Sequence, residues 1–167
     1  MKRHLSLIAI VGVILSTWAG GALAGSKIGG GIHYLHNLGD IKDAGLEQDS
    51  FSLLGSYQFA GPLLKFEGDV EYIFNFAGTD KSMWQPQAWV LVGGLIYAGG
   101  GIGIGYIDGD WQNDPFYALR GGVDLALASF DLDLYASYRF QSDDDLKNLT
   151  GEDWDSITFA ALLRFGL

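Results

Sequence analysis

Leu64-Lys65-Phe66-Glu67-Gly68-Asp69-Val70-Glu71-Tyr72-Ile73-Phe74-Asn75-Phe76 decides the fold class. Every second residue, from Leu64 through Phe66, Gly68, Val70, Tyr72, Phe74 and Phe76, is apolar or small. The residues between them include Lys65, Glu67, Asp69 and Glu71. A helix of this sequence would mix charge and apolar surface all round. A strand, whose side chains alternate between faces, separates them cleanly. The same test succeeds at Phe130–Gln141, where Asp131, Asp133, Tyr135, Ser137 and Arg139 oppose Phe130, Leu132, Leu134, Ala136, Tyr138 and Phe140. It succeeds again from Ile157 to Leu167, with Arg164 on the polar side and Phe165 on the apolar side.

Extended along the chain, the pattern predicts eight strands, at 27–37, 50–60, 63–76, 84–93, 96–107, 116–126, 129–141 and 156–167. Most are about ten residues or slightly longer, enough for a tilted strand to cross a bilayer. Short connections at Gly61-Pro62, Gly93–Leu95 and Ala126–Ser129 alternate with long ones at 38–49, 77–83, 108–115 and 142–155. The expected architecture is all-β, an eight-stranded antiparallel up-and-down transmembrane barrel. Its short turns face the periplasm and its longer loops the exterior.

Two domains of the chain are expected. Residues 1–24 read as a cleaved signal peptide: Lys2 and Arg3 are followed by an apolar run from Leu5 to about Trp18 and then by Ala22-Leu23-Ala24. Residues 25–167 are the barrel. With the leader set aside, eight basic residues face twenty acidic ones, a formal charge of −12. That excludes nucleic acid as a partner, which needs a basic face. There is no cysteine, so neither a disulfide framework nor a thiolate metal site can be built.

A soluble lipocalin-like ligand binder also has eight alternating strands, but with the apolar face inward. Three features favour the opposite sense. Gly99, Gly101, Gly103 and Gly105 share the charged face, and small residues suit a narrow interior into which neighbours such as Trp89, Tyr97, Tyr135 and Arg139 project. The apolar face is nearly free of charge. No helix is expected after the barrel, where lipocalins carry one. The interior then holds a charge network of Lys65, Glu67, Asp69, Glu71, Arg120, Asp124, Asp131, Asp133, Arg139 and Arg164, with Lys27 beside it. Asp133 and Arg164 are the candidate pair, and a salt-bridged plug is expected in place of a water-filled pore. Tyr34, Tyr57, Tyr72, Trp84, Tyr106, Tyr117, Tyr138 and Phe165 form the expected aromatic girdle on the outer face.

In these features and in its last strand, Ser156 to Leu167, the mature chain resembles the small eight-stranded bacterial outer-membrane proteins, the OmpX-like and OmpA-like barrels. That family commonly ends in an aromatic residue. Here the last residue is Leu167 and the nearest aromatic on its face is Phe165. The resemblance implies location in the cell outer membrane. It also implies contact with the bilayer and outer-leaflet lipopolysaccharide, recognition by the outer-membrane assembly machinery, and a monomer.

Chemistry is thinly signalled. His36 faces outward near the outer rim, with Glu47, Asp49, Ser50 and Ser52 close by in sequence; His33 faces inward. A lipid A-modifying enzyme would draw on such residues, but no motif joins them. The acidic loops, including Asp40, Asp43, Asp108, Asp110, Asp114 and Asp143–Asp145, read as solvated surface. Asp108–Asp114 lacks the spacing of a calcium loop. No catalytic residue, metal or cofactor is expected. The expected role is non-enzymatic, in envelope integrity or surface interaction through the acidic loops; a narrow conduit for small or hydrophobic solutes is the alternative.

Overall fold

The structure is a computed structural model that describes residues 25–38, 48–61, 63–75, 81–140 and 155–167. The leader expected at 1–24, most of the long acidic loops and Pro62 lie outside the described residues. Ten strands are present among the described residues: β1 (Ser26–Asn37), β2 (Asp49–Ala60), β3 (Leu64–Ile73), β4 (Met83–Gly93), β5 (Ile96–Gly103), β6 (Tyr106–Ile107), β7 (Asp110–Trp111), β8 (Phe116–Ala126), β9 (Asp131–Phe140) and β10 (Ser156–Gly166). Eight of them are long. They pair antiparallel in the order β3-β2-β1-β10-β9-β8-β5-β4, and β4 pairs back to β3, so the sheet closes on itself. A closed ring leaves no long edge unpaired.

The alternation read from the sequence sets which face goes where. Lys65, Glu67, Asp69 and Glu71 on β3 are buried inside, while Leu64, Phe66 and Val70 are exposed outside. The rest of the wall follows, with Ile28, Ile32, Leu53, Val90, Leu119, Leu134 and Leu163 all outward and exposed. The apolar surface is therefore on the outside of the barrel and the charge is within, the arrangement a bilayer requires and water penalises.

Three tight connections form one rim. The Gly61 N–H donates to the Leu64 carbonyl, and the Leu127 N–H to the Phe130 carbonyl. Gly93 has φ +128°, and a side chain there would run into the Ile96 carbonyl, so the turn before β5 needs glycine. Gly25 and Leu167 are tied to the same rim through Ala60 and Ser26.

The strands differ from the sequence reading at two places. β3 ends at Ile73, short of the expected Phe76, because the chain bends at Phe74 and Asn75, and Asn75 is left-handed with φ +45°. The single strand expected over 96–107 is split into β5 and β6. Pro86 lies opposite the break: its carbonyl accepts from the Ile104 N–H at 3.2 Å, but it has no N–H to return. Beyond the break, residues 106–111 form a hairpin whose second half, 108–111, falls in a stretch expected to be loop. Asp108 and Gly109 both have positive φ, the signature of the type I′ turn that joins strands through two residues.

Candidate functional site

The interior is the most chemically loaded part of the molecule. Its side chains form three groups stacked from the short-turn rim to the long-loop rim. At the short-turn end Lys65 Nζ lies 2.7 Å from Asp124 Oδ2 and donates to the Gly94 carbonyl of the turn. Lys27 approaches the same carboxylate at 3.5 Å and pairs with Asp131.

In the middle, Arg120 donates to Glu67 Oε1 at 2.6 Å and to Asp69 Oδ2 at 3.0 Å. Its guanidinium carbon sits 3.8 Å from the centroid of a Trp89 ring and 3.9 Å from that of Tyr135, held between two aromatic faces. Arg164 reaches Glu67 Oε2 at 2.8 Å and Asp133 Oδ2 at 2.7 Å. The Tyr97 hydroxyl donates to Asp133 at 2.7 Å.

Nearer the long loops, Glu71 accepts four hydrogen bonds. Ser52 and His33 Nδ1 donate to Oε1, and Gln87 and Arg139 to Oε2. The carboxylate fixes the His33 tautomer: Nδ1 carries the proton and Nε2 accepts from the Tyr135 hydroxyl at 2.6 Å. Arg139 Nη2 lies 3.5 Å from Nδ1. Above this group Ile73, Met83 and Phe116, each no more than 1% exposed, are buried at the same end as the polar Asn37, Ser50 and Ser156.

Every residue of the expected charge network is therefore turned inward, and Arg164 and Asp133 are in contact across β10 and β9. His33, Tyr97 and Tyr135 are inside as expected, while the neutral Ser52, Gln58, Gln85 and Gln87 are members that charge alone does not point to. Their strand parity, which puts them on the charged face, was the available signal. Glycines make the packing possible. A side chain at Gly101 would strike the Trp89 ring, at Gly103 the Phe116 ring, and at Gly29 the stem of Arg164.

The expected girdle residues all lie on the outer face, at the two rims. At the long-loop rim the rings meet in pairs, with centroids 4.7 Å apart for Tyr72–Trp84, 5.0 Å for Tyr106–Trp111, 5.3 Å for Tyr34–Phe51 and 4.7 Å for Tyr138–Phe140. Tyr117 is exposed at the same end. Two hydroxyls point to carboxylates there, Tyr34 to Asp49 and Tyr138 to Asp155, each at 2.6 Å. Tyr57 and Phe165 belong to the short-turn rim, where Phe165 meets Phe130 at 6.3 Å. Trp111 joins the upper belt without having been expected.

His36 does face outward, with Nδ1 2.7 Å from Asp49. Ser50 and Ser52 point to the opposite side of the wall and are buried. Strand parity thus separates the histidine from both serines. Glu47 lies outside the described residues.

No protein-family model matches the chain, and no curated protein does. Solved structures do. Neisserial surface protein A superposes with a TM-score of 0.64 at 15% identity, over 86% of this chain and 98% of that one. The fold is that of an eight-stranded transmembrane β-barrel. A de novo designed transmembrane β-barrel matches with a TM-score of 0.50 at 10% identity, covering 86% of this chain and 96% of that one. Ail, the attachment invasion locus protein of Yersinia pestis, gives 0.49 at 16% identity, covering 84% and 97%.

Proposed function

We propose that the chain is a non-enzymatic outer-membrane barrel. It acts in envelope integrity or surface interaction, through its bilayer-spanning wall and its acidic external loops. The observation that carries this reading is the packed interior. Arg120, Arg139 and Arg164 are each 2% exposed or less and each bound to a carboxylate of β3, and Ile73, Met83 and Phe116 are buried in the interior above them. A barrel filled in this way has its chemistry to offer outside, at the loop rim, where Asp49, Asp108, Asp110, Asp114 and Asp155 lie among the described residues. The similarity to a neisserial surface protein supports the same reading. So does the apolar outer wall bounded by aromatic rims, which suits a bilayer.

The test has two parts. Unheated and boiled samples of the outer-membrane fraction are compared by gel mobility, and the purified protein is added to planar bilayers. A heat-modifiable band without discrete conductance is expected. Steady single-channel steps would replace this reading with a solute conduit. Recovery from the soluble periplasmic fraction, with no mobility shift, would replace it with a soluble binder.

A further inference from the structure

The two ends of the barrel wall are built from different residues. At the long-loop rim Tyr34, Tyr72, Trp84, Tyr106, Tyr117 and Tyr138 stand on the outer face, and the hydroxyls of Tyr34 and Tyr138 donate to Asp49 and Asp155. A ring with a polar handle suits the boundary between hydrocarbon and water. At the short-turn rim the outward rings are Phe59 paired with Phe66, and Phe130 beside Phe165. Tyr57 is the one outward tyrosine there among the described residues, and its hydroxyl turns to Ser26 at 3.3 Å.

The turns continue the difference. Gly61-Pro62-Leu63, Gly93-Gly94-Leu95 and Ala126-Leu127-Ala128-Ser129 contain no charged residue. Each presents a leucine: Leu63 is 67% exposed, Leu95 60% and Leu127 48%, with Ile96 next to Leu95 at 73%. The charges of that end, Lys27, Lys65, Asp124 and Asp131, pair with one another inside the barrel. In water these turns would forgo the gain of burying four large apolar side chains. Their backbones are already satisfied: the Leu63 carbonyl accepts from the Gly93 N–H and the Leu95 carbonyl from the Asp124 N–H, while the Leu127 N–H donates to Phe130.

The height of the wall points the same way. Trp84 to Val92 on β4, Tyr117 to Leu125 on β8 and Tyr138 back to Phe130 along β9 are each eight residue steps. Eight steps of antiparallel strand measure about 27 Å, and at a tilt of about 40° they rise about 20 Å along the barrel axis. The outward apolar band of a transmembrane barrel is about 25 Å tall. With the Tyr and Trp belt at one boundary, the strands stop about 5 Å short of the other, and the turns fill the remainder.

We propose that the short-turn rim is a lipid-binding surface, with Leu63, Leu95, Ile96 and Leu127 set among the phospholipid acyl chains of the leaflet on that side and the turn backbones at its boundary. The proposal rests on the transmembrane placement of the barrel. Continuity decides the occupant: Leu63 adjoins Leu64, Ile96 opens β5 and Leu127 follows Leu125, so the patch runs into the lipid-facing wall with no charged residue between. A protein-binding patch would need a polar border against the lipid, and the described residues supply none there.

The chain has no cysteine, so single cysteines report without interference. Leu95→Cys and Leu127→Cys, each carrying a nitroxide, are folded into phosphatidylcholine vesicles. Leu134→Cys at mid-wall is the lipid reference, and Asp110→Cys at the loop rim is the water reference. Collision with oxygen, which concentrates in lipid, is compared with collision with a water-soluble nickel chelate. Both turn labels are expected to favour oxygen, as Leu134 does and Asp110 does not. In a thinner bilayer of shorter-chain phosphatidylcholine they should shift toward the chelate while Leu134 stays in lipid. That shift separates a rim placed by the height of the wall from a label drawn into lipid by its own apolarity. Turn labels that favour the chelate in both bilayers, with Leu134 in lipid, overturn the proposal and leave the rim to a protein partner. Turn labels that favour oxygen equally in both bilayers overturn it as well. Chelate access at Leu134 would overturn the transmembrane placement itself, and the proposal with it.

Discussion

Strands β3 and β5 flank β4 on either side and face the same interior, yet they furnish it in opposite ways. β3 sends in Lys65, Glu67, Asp69 and Glu71. β5 sends in Tyr97 and then nothing but Gly99, Gly101 and Gly103. The bare stretch of β5 is where Trp89 and Phe116 lie, and those rings carry Arg120 and Arg139, which hold the carboxylates of β3. The charged strand thus depends on the empty one. An interior this narrow is filled by sharing volume between strands, so the worth of a residue is set by what its neighbours leave open.

The strongest attack on this dependence is Arg120→Leu. It leaves Glu67 with Arg164 alone and Asp69 with no arginine, and should cost about 3–5 kcal/mol. Urea unfolding in phosphatidylcholine vesicles measures it. A loss below about 1 kcal/mol would mean that the network contributes little, against the usual cost of stranding a buried charge. A smaller effect comes from the other strand. Gly101→Val forces Trp89 off its seat and should cost about 1–3 kcal/mol. Gly100→Ala, one residue away on the outer face, meets only ordinary contacts and should stay within about 0.5 kcal/mol. Equal losses at the two positions would break the distinction between the faces of β5. Opposite in sign is Pro86→Val, which restores the N–H facing Ile104 and should join β5 to β6 for a gain of about 1 kcal/mol. Hydrogen exchange at the amide this substitution introduces, and along residues 104–106, reports it; an unprotected amide there would locate the cause of the strand break elsewhere.

Period-two alternation made the wall legible, because one strand residue decides the face of every other. The charged stretch of β3 and the glycines of β5 were readable for the same reason. Ladder continuity was harder. Pro86 and the Asp108-Gly109 turn are both visible in the sequence, but their effect depends on what lies opposite them. Pro86 breaks a strand only because Ile104 is its partner, and the register is a property of the closed sheet. The interior pairs divide likewise. Arg164 and Asp133 are on adjacent strands and could be matched by height. Arg120 with Glu67, or Arg139 with Glu71, meet across the barrel, where no local pattern speaks.

The cross-barrel ion pairs also constrain the order of folding. The carboxylates of β3 find their cations on β8, β9 and β10, with Arg120 53 residues from Glu67 and Arg139 68 residues from Glu71. A hairpin of β2 and β3 entering a bilayer alone would carry those carboxylates into hydrocarbon with nothing to meet them. Their partners arrive only when the last strands have curled round to meet the first. Insertion and closure must then be a single late event, slow because its decisive contacts are remote in the chain.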